Sequence, residues 1–232
     1  LSDTSLVASV LNTLDTNTTG AVNAATITTL TGTAADANTA YASGGITGLA
    51  NEAVTLSDTS LVASVLNTLD TNTSGAITTS GGSLSVTGLN GLTVAATNAT
   101  DTFVFTTSDA GVTINGFTLS TDKINLDAVT TSTATVATGA AVSFTAAANN
   151  VLFFSGGATG DADSAAAAIT FMNANLAYTD SAASFYAVIA DDNSTAVYEV
   201  TGNAGGDEFT GDTLTLMGTI NAVLTTGDIV FA

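Results

Sequence analysis

The sequence predicts a mainly β protein with short helices, in which parallel, solenoid-like α/β repeats precede a β-rich terminal module of the sandwich or roll type. A long repeat is present, and apolar residues within it switch between helical and strand spacing. Large side chains are scarce: hydrophobic residues make up 45% of the chain but aromatic residues only 6%. Small side chains suit thin, stacked layers, so we expect repeats over residues 1–95 and the terminal module over residues 96–232.

The repeat is nearly identical in its two copies, residues 1–22 and residues 56–77. The copies differ only at Thr19 against Ser74 and at Val22 against Ile77. Such identity indicates a tandem array. Because Leu1 falls inside the repeat, we expect the sequence to be a piece of a longer protein.

Each repeat unit contains alternating helix and strand signals. We expect a helix capped by Ser2 or Asp3 and running to Leu14, a strand over Ala21–Leu30, a helix over Thr33–Tyr41 and a strand over Ala53–Leu56. A coil of roughly 25–30 residues cannot bury its own apolar face, whereas stacked coils can. The alternative is a string of small independent domains. Residues 78–100 lack the helical pattern and predict a pure β cap.

The charge is one-sided, with 20 acidic residues against the single cation Lys123 and a net charge of −19. A chain this acidic repels nucleic acid phosphates and anionic lipids. It attracts cations, and Ca²⁺ is the one that Asp- and Asn-rich turns prefer. The alternative is that the acidity only maintains solubility. We expect Lys123 to form a weak surface pair with Asp122 or Asp127.

The missing residue types exclude most catalysis. Without Cys, His or Arg, the chain has no Cys–His nucleophile, Ser–His–Asp triad or ordinary zinc site. A hydrolase would need paired carboxylates, such as Asp161/Asp163 or Asp191/Asp192, and no Trp is present as a sugar platform. We therefore expect a protein that is not an enzyme.

Two acidic turns are candidate Ca²⁺ sites in the terminal module. The first, Asp191-Asp192-Asn193, lies between predicted strands 184–190 and 195–200, and its alternative is an ordinary β-turn. The second contains Asp207 and Glu208 in a Gly-rich stretch. The remaining predicted elements are strands at 151–154, 213–217 and 228–231 and a helix over 165–176 that Asp163 or Ser164 caps.

Several short motifs carry a resemblance to a known family. They are D-T-F-V-F at 101–105, I-x-x-F at 114–117, D-K-I-x-L at 122–126 and the acidic-then-apolar tail at 227–232. Together they resemble the C-terminal region of RTX-like bacterial surface proteins, S-layer or haemolysin-like, that leave the cell by type I secretion. The family's Ca²⁺-binding nonapeptide array is missing, and residues 202–209 approximate one copy.

The resemblance implies a secreted, extracellular protein at the cell surface. With the repeats, it predicts a structural component of an S-layer, sheath or filament that self-assembles with Ca²⁺. The expected partners are copies of the chain, the type I secretion machinery and cell-surface polysaccharide, with no nucleic acid and no membrane span. The alternative function is a Ca²⁺-dependent adhesin or glycan-binding module that uses exposed tyrosines, namely Tyr41, Tyr178, Tyr186 and Tyr198.

Overall fold

The computed structural model describes residues 1–126, 133–137, 142–145, 151–155, 163–179, 184–202 and 209–231. The chain divides into two compact units. The first contains residues 1–88 and 94–102, and the second contains residues 89–93 and 103–232. The predicted mainly β class with short helices and parallel sheets is confirmed.

The first unit contains three helices and most of the short strands. The helices are α1 (Ala8–Thr16), α2 (Ala34–Ala42) and α3 (Ala63–Asn72). The strands are β1 (Ser5–Val7), β2 (Val22–Asn23), β3 (Thr29–Gly32), β4 (Ile46–Thr47), β5 (Ala53–Leu56), β6 (Ser60–Val62), β7 (Ile77–Thr79) and β8 (Ser83–Thr87). Two further strands, β9 (Thr93–Ala95) and β10 (Thr100–Phe105), have residues in both ranges.

Four strands of the first unit pair in parallel. Strands β1, β3, β5 and β7 form one sheet in that order. The residues in register along it are Leu6, Leu30, Val54 and Ile77. Parallel strands need a crossover connection. The segment with α1 connects β1 to β3, and the segment with α2 connects β3 to β5. Helix α2 contacts both α1 and α3, so the helices stack as the strands do.

Two predicted elements of the first coil are placed differently in the structure. The first helix starts at Ala8, because Ser5–Val7 pairs with β3 as a strand. The predicted strand over 21–30 is divided into β2 and β3 by a turn in which Asn23 Oδ1 accepts the Ala25 N–H at 3.0 Å. The second predicted helix is confirmed as α2, and Thr33 Oγ1 caps it by accepting the Asp36 N–H at 3.1 Å.

The second unit contains longer strands and one helix. The strands are β11 (Val112–Asn115), β12 (Lys123–Leu126), β13 (Thr133–Ala137), β14 (Val142–Thr145), β15 (Val151–Ser155), β16 (Leu176–Thr179), β17 (Ser184–Ala190), β18 (Thr195–Thr201), β19 (Thr213–Ile220) and β20 (Ile229–Phe231). The helix is α4 (Ala165–Asn175), with Ser164 as its N-cap. One sheet includes β13, β15, β17, β18, β19 and β11 in that order, and β12 pairs with β20.

Helix α4 covers one face of this mixed sheet. Strands β17 and β18 form the predicted antiparallel hairpin, while β13, β15 and β17 run parallel. Met172 of α4 is fully buried with Phe154, Phe185 and Tyr198. Burying such large side chains stabilises a fold by about 1.5–3 kcal/mol each, so this cluster is the main core of the unit.

No helix within the described residues has the length and apolarity that crossing a membrane requires.

Candidate functional site

Carboxylates that lie inside the fold are the most unusual polar feature of this chain. Among the described residues, seven acidic side chains are buried: Glu52, Asp101, Asp109, Asp122, Asp191, Asp212 and Asp228. A buried carboxylate is strongly destabilising unless hydrogen-bond donors or cations compensate for its lost hydration. The hydrogen-bond donors around each buried carboxylate therefore indicate the role of that acid.

Two of these acids close short turns with a preceding threonine. The Asp101 carboxylate accepts the backbone N–H and the hydroxyl of Thr97, the hydroxyl at 2.9 Å. The Asp109 carboxylate accepts the same two donors from Thr106, at 2.7 and 3.0 Å. We call this arrangement a Thr–Asp turn. In each turn, two donors from one threonine therefore compensate part of the hydration that the carboxylate loses on burial.

Two further Thr–Asp turns lie beside β12 and β20. Asp122 accepts the Thr118 N–H at 2.7 Å, and Asp228 accepts the Thr225 N–H at 2.9 Å and its hydroxyl at 2.7 Å. Asp228 also accepts the N–H of Ser120, a residue with a positive φ of 65°, at 2.7 Å. The Asp228 carboxylate therefore joins the two turns.

The single lysine belongs to this junction. Lys123 Nζ lies 3.7 Å from Asp228 Oδ1 and donates to the Gly227 carbonyl at 2.8 Å. Burial alone would raise the pKa of Asp228, but the hydrogen bonds from Thr225 and Ser120 and the Lys123 charge lower it from its ordinary 3.8. The structure pairs Lys123 with Asp228, which the parallel pairing of β12 with β20 brings to the lysine; Asp127, one of the two expected partners, lies outside the described residues.

The predicted Ca²⁺ turn 191–193 lies at the tip of the β17–β18 hairpin. The buried Asp191 carboxylate accepts the Asn193 N–H at 3.1 Å and the Ser194 N–H at 2.8 Å. Asp192 and Asn193 are exposed. This is the hydrogen bonding of an Asx turn, so Asp191 has a structural role here whether or not a cation binds. Asp207 and Glu208, the other predicted ligands, lie outside the described residues, as does Asp161.

Glu52 is the remaining acid with clear donors, and it pairs with a tyrosine. The Tyr41 hydroxyl donates to Glu52 Oε2 at 3.1 Å, and the Ala50 N–H donates to the same oxygen at 2.9 Å. Burial, assisted by the Glu52 charge, raises the pKa of Tyr41 to about 12.

The tyrosines predicted to be exposed for glycan binding do not form one surface. Tyr186 and Tyr198 are buried, because both lie on strands of the hairpin that contributes to the core. Tyr41 is half-buried against Glu52, and the side chain of Tyr178 is outside the described part. The expectation of exposure is therefore wrong for Tyr186 and Tyr198.

The turn carboxylates accept hydrogen bonds from the turns in which they lie. Within the described ranges, no group of three or more His, Cys, Asp or Glu side chains converges on a position that suits a metal ion. Sequence reasoning missed the Thr–Asp turns, although their signal is visible: Thr precedes Asp by three or four residues just before or inside an apolar strand. No protein-family model, curated protein or solved structure matches this chain.

Proposed function

We propose that this chain is a structural component of a bacterial extracellular surface, such as an S-layer, sheath or filament. In this proposal the repeats form a solenoid, a β-rich sandwich or roll follows them, and the protein leaves the cell by type I secretion. Copies of the chain assemble outside the cell, where Ca²⁺ bridges their acidic surfaces.

The observation that supports the proposal most directly is the parallel pairing of successive strands in the first unit. Leu6 on β1, Leu30 on β3 and Val54 on β5 lie in register at a constant spacing along the chain. Stacks of this kind grow by adding coils, and their ends expose half-covered apolar layers and unpaired strand edges. Such surfaces are suited to holding shape and to contacting neighbours.

The distribution of acids supports the same proposal. Six buried carboxylates accept hydrogen bonds from the backbone and side chains around their own turns, so they serve the fold. The acids that face solvent can meet cations; the exposed acids among the described residues are Asp3, Asp70 and Asp192. At a net charge of −19, copies repel one another unless ions screen or bridge them.

Assembly is tested by electron microscopy and light scattering of the purified protein, with Ca²⁺ and with a chelator. We expect ordered sheets or filaments with Ca²⁺ and dispersed particles with the chelator. A NaCl control at matched ionic strength separates bridging by the divalent ion from simple screening. Monodisperse particles in every condition would contradict the proposal.

The export route is tested by deleting residues 227–232 and measuring the protein in the medium. Because β20 pairs with β12, this deletion also removes part of the fold. The control is Asp228→Ala, which breaks the same junction but keeps the tail. We expect the deletion alone to abolish export; equal loss in both variants would assign the effect to folding.

A further inference from the structure

The two sequence repeats have the same local structure but different surroundings. Thr18 Oγ1 accepts the Gly20 N–H at 3.2 Å, and in the second copy Thr73 Oγ1 accepts the Gly75 N–H at 2.9 Å. Helices α1 and α3 likewise carry matching side-chain hydrogen bonds. The second copy therefore shows what the first copy's side chains do when they are covered.

The apolar contrast lies on the helices. Leu69 of α3 is fully buried, whereas its counterpart Leu14 of α1 is 40% exposed. Val65 is half-buried, whereas Val10 is 52% exposed. In the second copy the cover is α2, which packs on α3. Nothing within the described residues takes this place on α1.

Polar groups show the same contrast. Asp58 Oδ2 accepts the N–H of Ala34 at the start of α2, at 2.8 Å, whereas its counterpart Asp3 is exposed. Thr73 Oγ1 donates to the Glu52 carbonyl at 2.7 Å, whereas Thr18 is exposed.

Two further contacts of the second copy involve residues that have counterparts in the first copy. Asn72 Nδ2 donates to Asn38 Oδ1 at 3.0 Å, and Ile77 pairs with Val54. The first copy retains matching residues, with Asn17 in place of Asn72 and Val22 in place of Ile77. Asn17 is exposed.

We propose that the outer face of residues 1–22 is a docking surface for another strand–helix coil of the kind formed by residues 33–54. The docked helix lies on Val10 and Leu14, Asp3 caps its first turn, and its following strand pairs with Val22. A folded second copy does not offer this coil, because α2 there already lies between its own α1 and α3. The inference rests on the stacked-coil architecture proposed above.

The test adds residues 23–55 ahead of Leu1 in the full chain, so that the junction of Thr55 with Leu1 reproduces that of Thr55 with Leu56. The matched control adds the same residues in scrambled order. We expect amide hydrogen exchange in the added copy of α2 and in α1 to slow by about tenfold or more relative to the control. Equal exchange rates would overturn the proposal.

A second measurement uses Leu14→Ala. This substitution should lower the melting temperature of the extended protein and leave that of the parent nearly unchanged, since Leu14 is covered only in the former. Equal shifts in both proteins would contradict the docking geometry. The oligomeric state of the parent chain gives a third outcome. If the parent is a dimer and Leu14→Asp is a monomer, the occupant of the surface is a second copy, and the proposal is overturned. Because hydrogen exchange and melting temperature depend neither on Ca²⁺ nor on assembly, a failure of either measurement is distinct from a failure of the proposed function.

Discussion

Lys123 and Asp228 are separated by most of the second unit's sequence, yet Lys123 Nζ lies 3.7 Å from Asp228 Oδ1. The carboxylate is buried, and the N–H groups of Ser120 and Thr225 also donate to it. This junction fixes the turn before β20 to the turn before β12, and so it locates the C-terminal strand.

The two members of the junction should differ in their effect on stability. Asp228→Ala removes the buried carboxylate that accepts the N–H groups of Ser120 and Thr225 and the Thr225 hydroxyl, so we expect a loss of about 2–3 kcal/mol in the free energy of unfolding. Lys123→Met removes a partly exposed ion pair, and we expect a loss below about 1 kcal/mol. Urea denaturation of both variants measures the difference. Equal losses would show that the salt bridge, and not the turn hydrogen bonds, dominates.

The junction should also weaken in acid. The pKa of Asp228 is lower in the folded state than its ordinary 3.8, so the folded protein binds this proton less readily than the unfolded chain. The stabilisation is complete above about pH 4 and is lost as the pH falls through the folded pKa. Denaturation at stepped pH should show a smaller acid-induced loss in Asp228→Asn than in the parent. An identical pH profile for the two proteins would assign the loss to other acids.

Tyr41 should make the protein sensitive to alkali. Its pKa is raised to about 12 from 10.0, so the neutral phenol is favoured in the folded state. This stabilisation is present below about pH 10 and is lost as the pH rises toward 12. Tyr41→Phe should reduce the alkaline loss of stability, which denaturation experiments at stepped pH measure. Ultraviolet absorbance reports phenolate formation in the same samples. The same number of tyrosines titrating near pH 12 in the parent and in Tyr41→Phe would show that the assignment is wrong.

The repeat provides a matched pair of leucines. Leu69→Ala empties a fully buried site and should lower the free energy of unfolding by about 2–5 kcal/mol. Leu14→Ala changes the identical sequence position where the side chain is 40% exposed, and it should cost under about 1 kcal/mol. Chemical denaturation of both proteins checks this. Similar losses would mean that the two leucines are equally buried in solution, and they would contradict the contrast in exposure.

The repeat also provides a matched pair of glycines. A Cβ at Gly75 would lie 2.2 Å from the Glu52 carbonyl oxygen, whereas at Gly20 the nearest atom would be 3.8 Å away. Gly75→Ala should therefore destabilise by about 1–3 kcal/mol through overpacking, and Gly20→Ala should be nearly neutral. Melting temperatures of the two variants measure the contrast. A tolerated Gly75→Ala would show that the two coils can separate without loss.

Much of the fold follows from the sequence where local signals agree with the tertiary structure. Thr33 marks the start of α2, and the turn at 191–194 divides two apolar strands, so both elements are predicted well. The first helix is misplaced because Leu6 fits helical spacing as well as it fits a strand. The pairing of Leu6 with Leu30 makes this segment a strand, and the local sequence around Leu6 does not reveal that contact.

The candidate site is less predictable for a related reason. An aspartate in a polar turn has the same local sequence whether it binds a cation, faces solvent or accepts backbone N–H groups. Asp101 and Asp3 illustrate this, since one is fully buried and the other is exposed. Only the path of the surrounding chain decides between these roles.

The local closure of the Thr–Asp turns has an evolutionary consequence. Where the donors to a buried carboxylate lie within a few residues of it, as at Asp109, a duplication or deletion elsewhere in the gene leaves that charge compensated. Asp228 differs, because it also accepts from Ser120 and pairs with Lys123, so any change of length between these residues must preserve the pairing of β12 with β20.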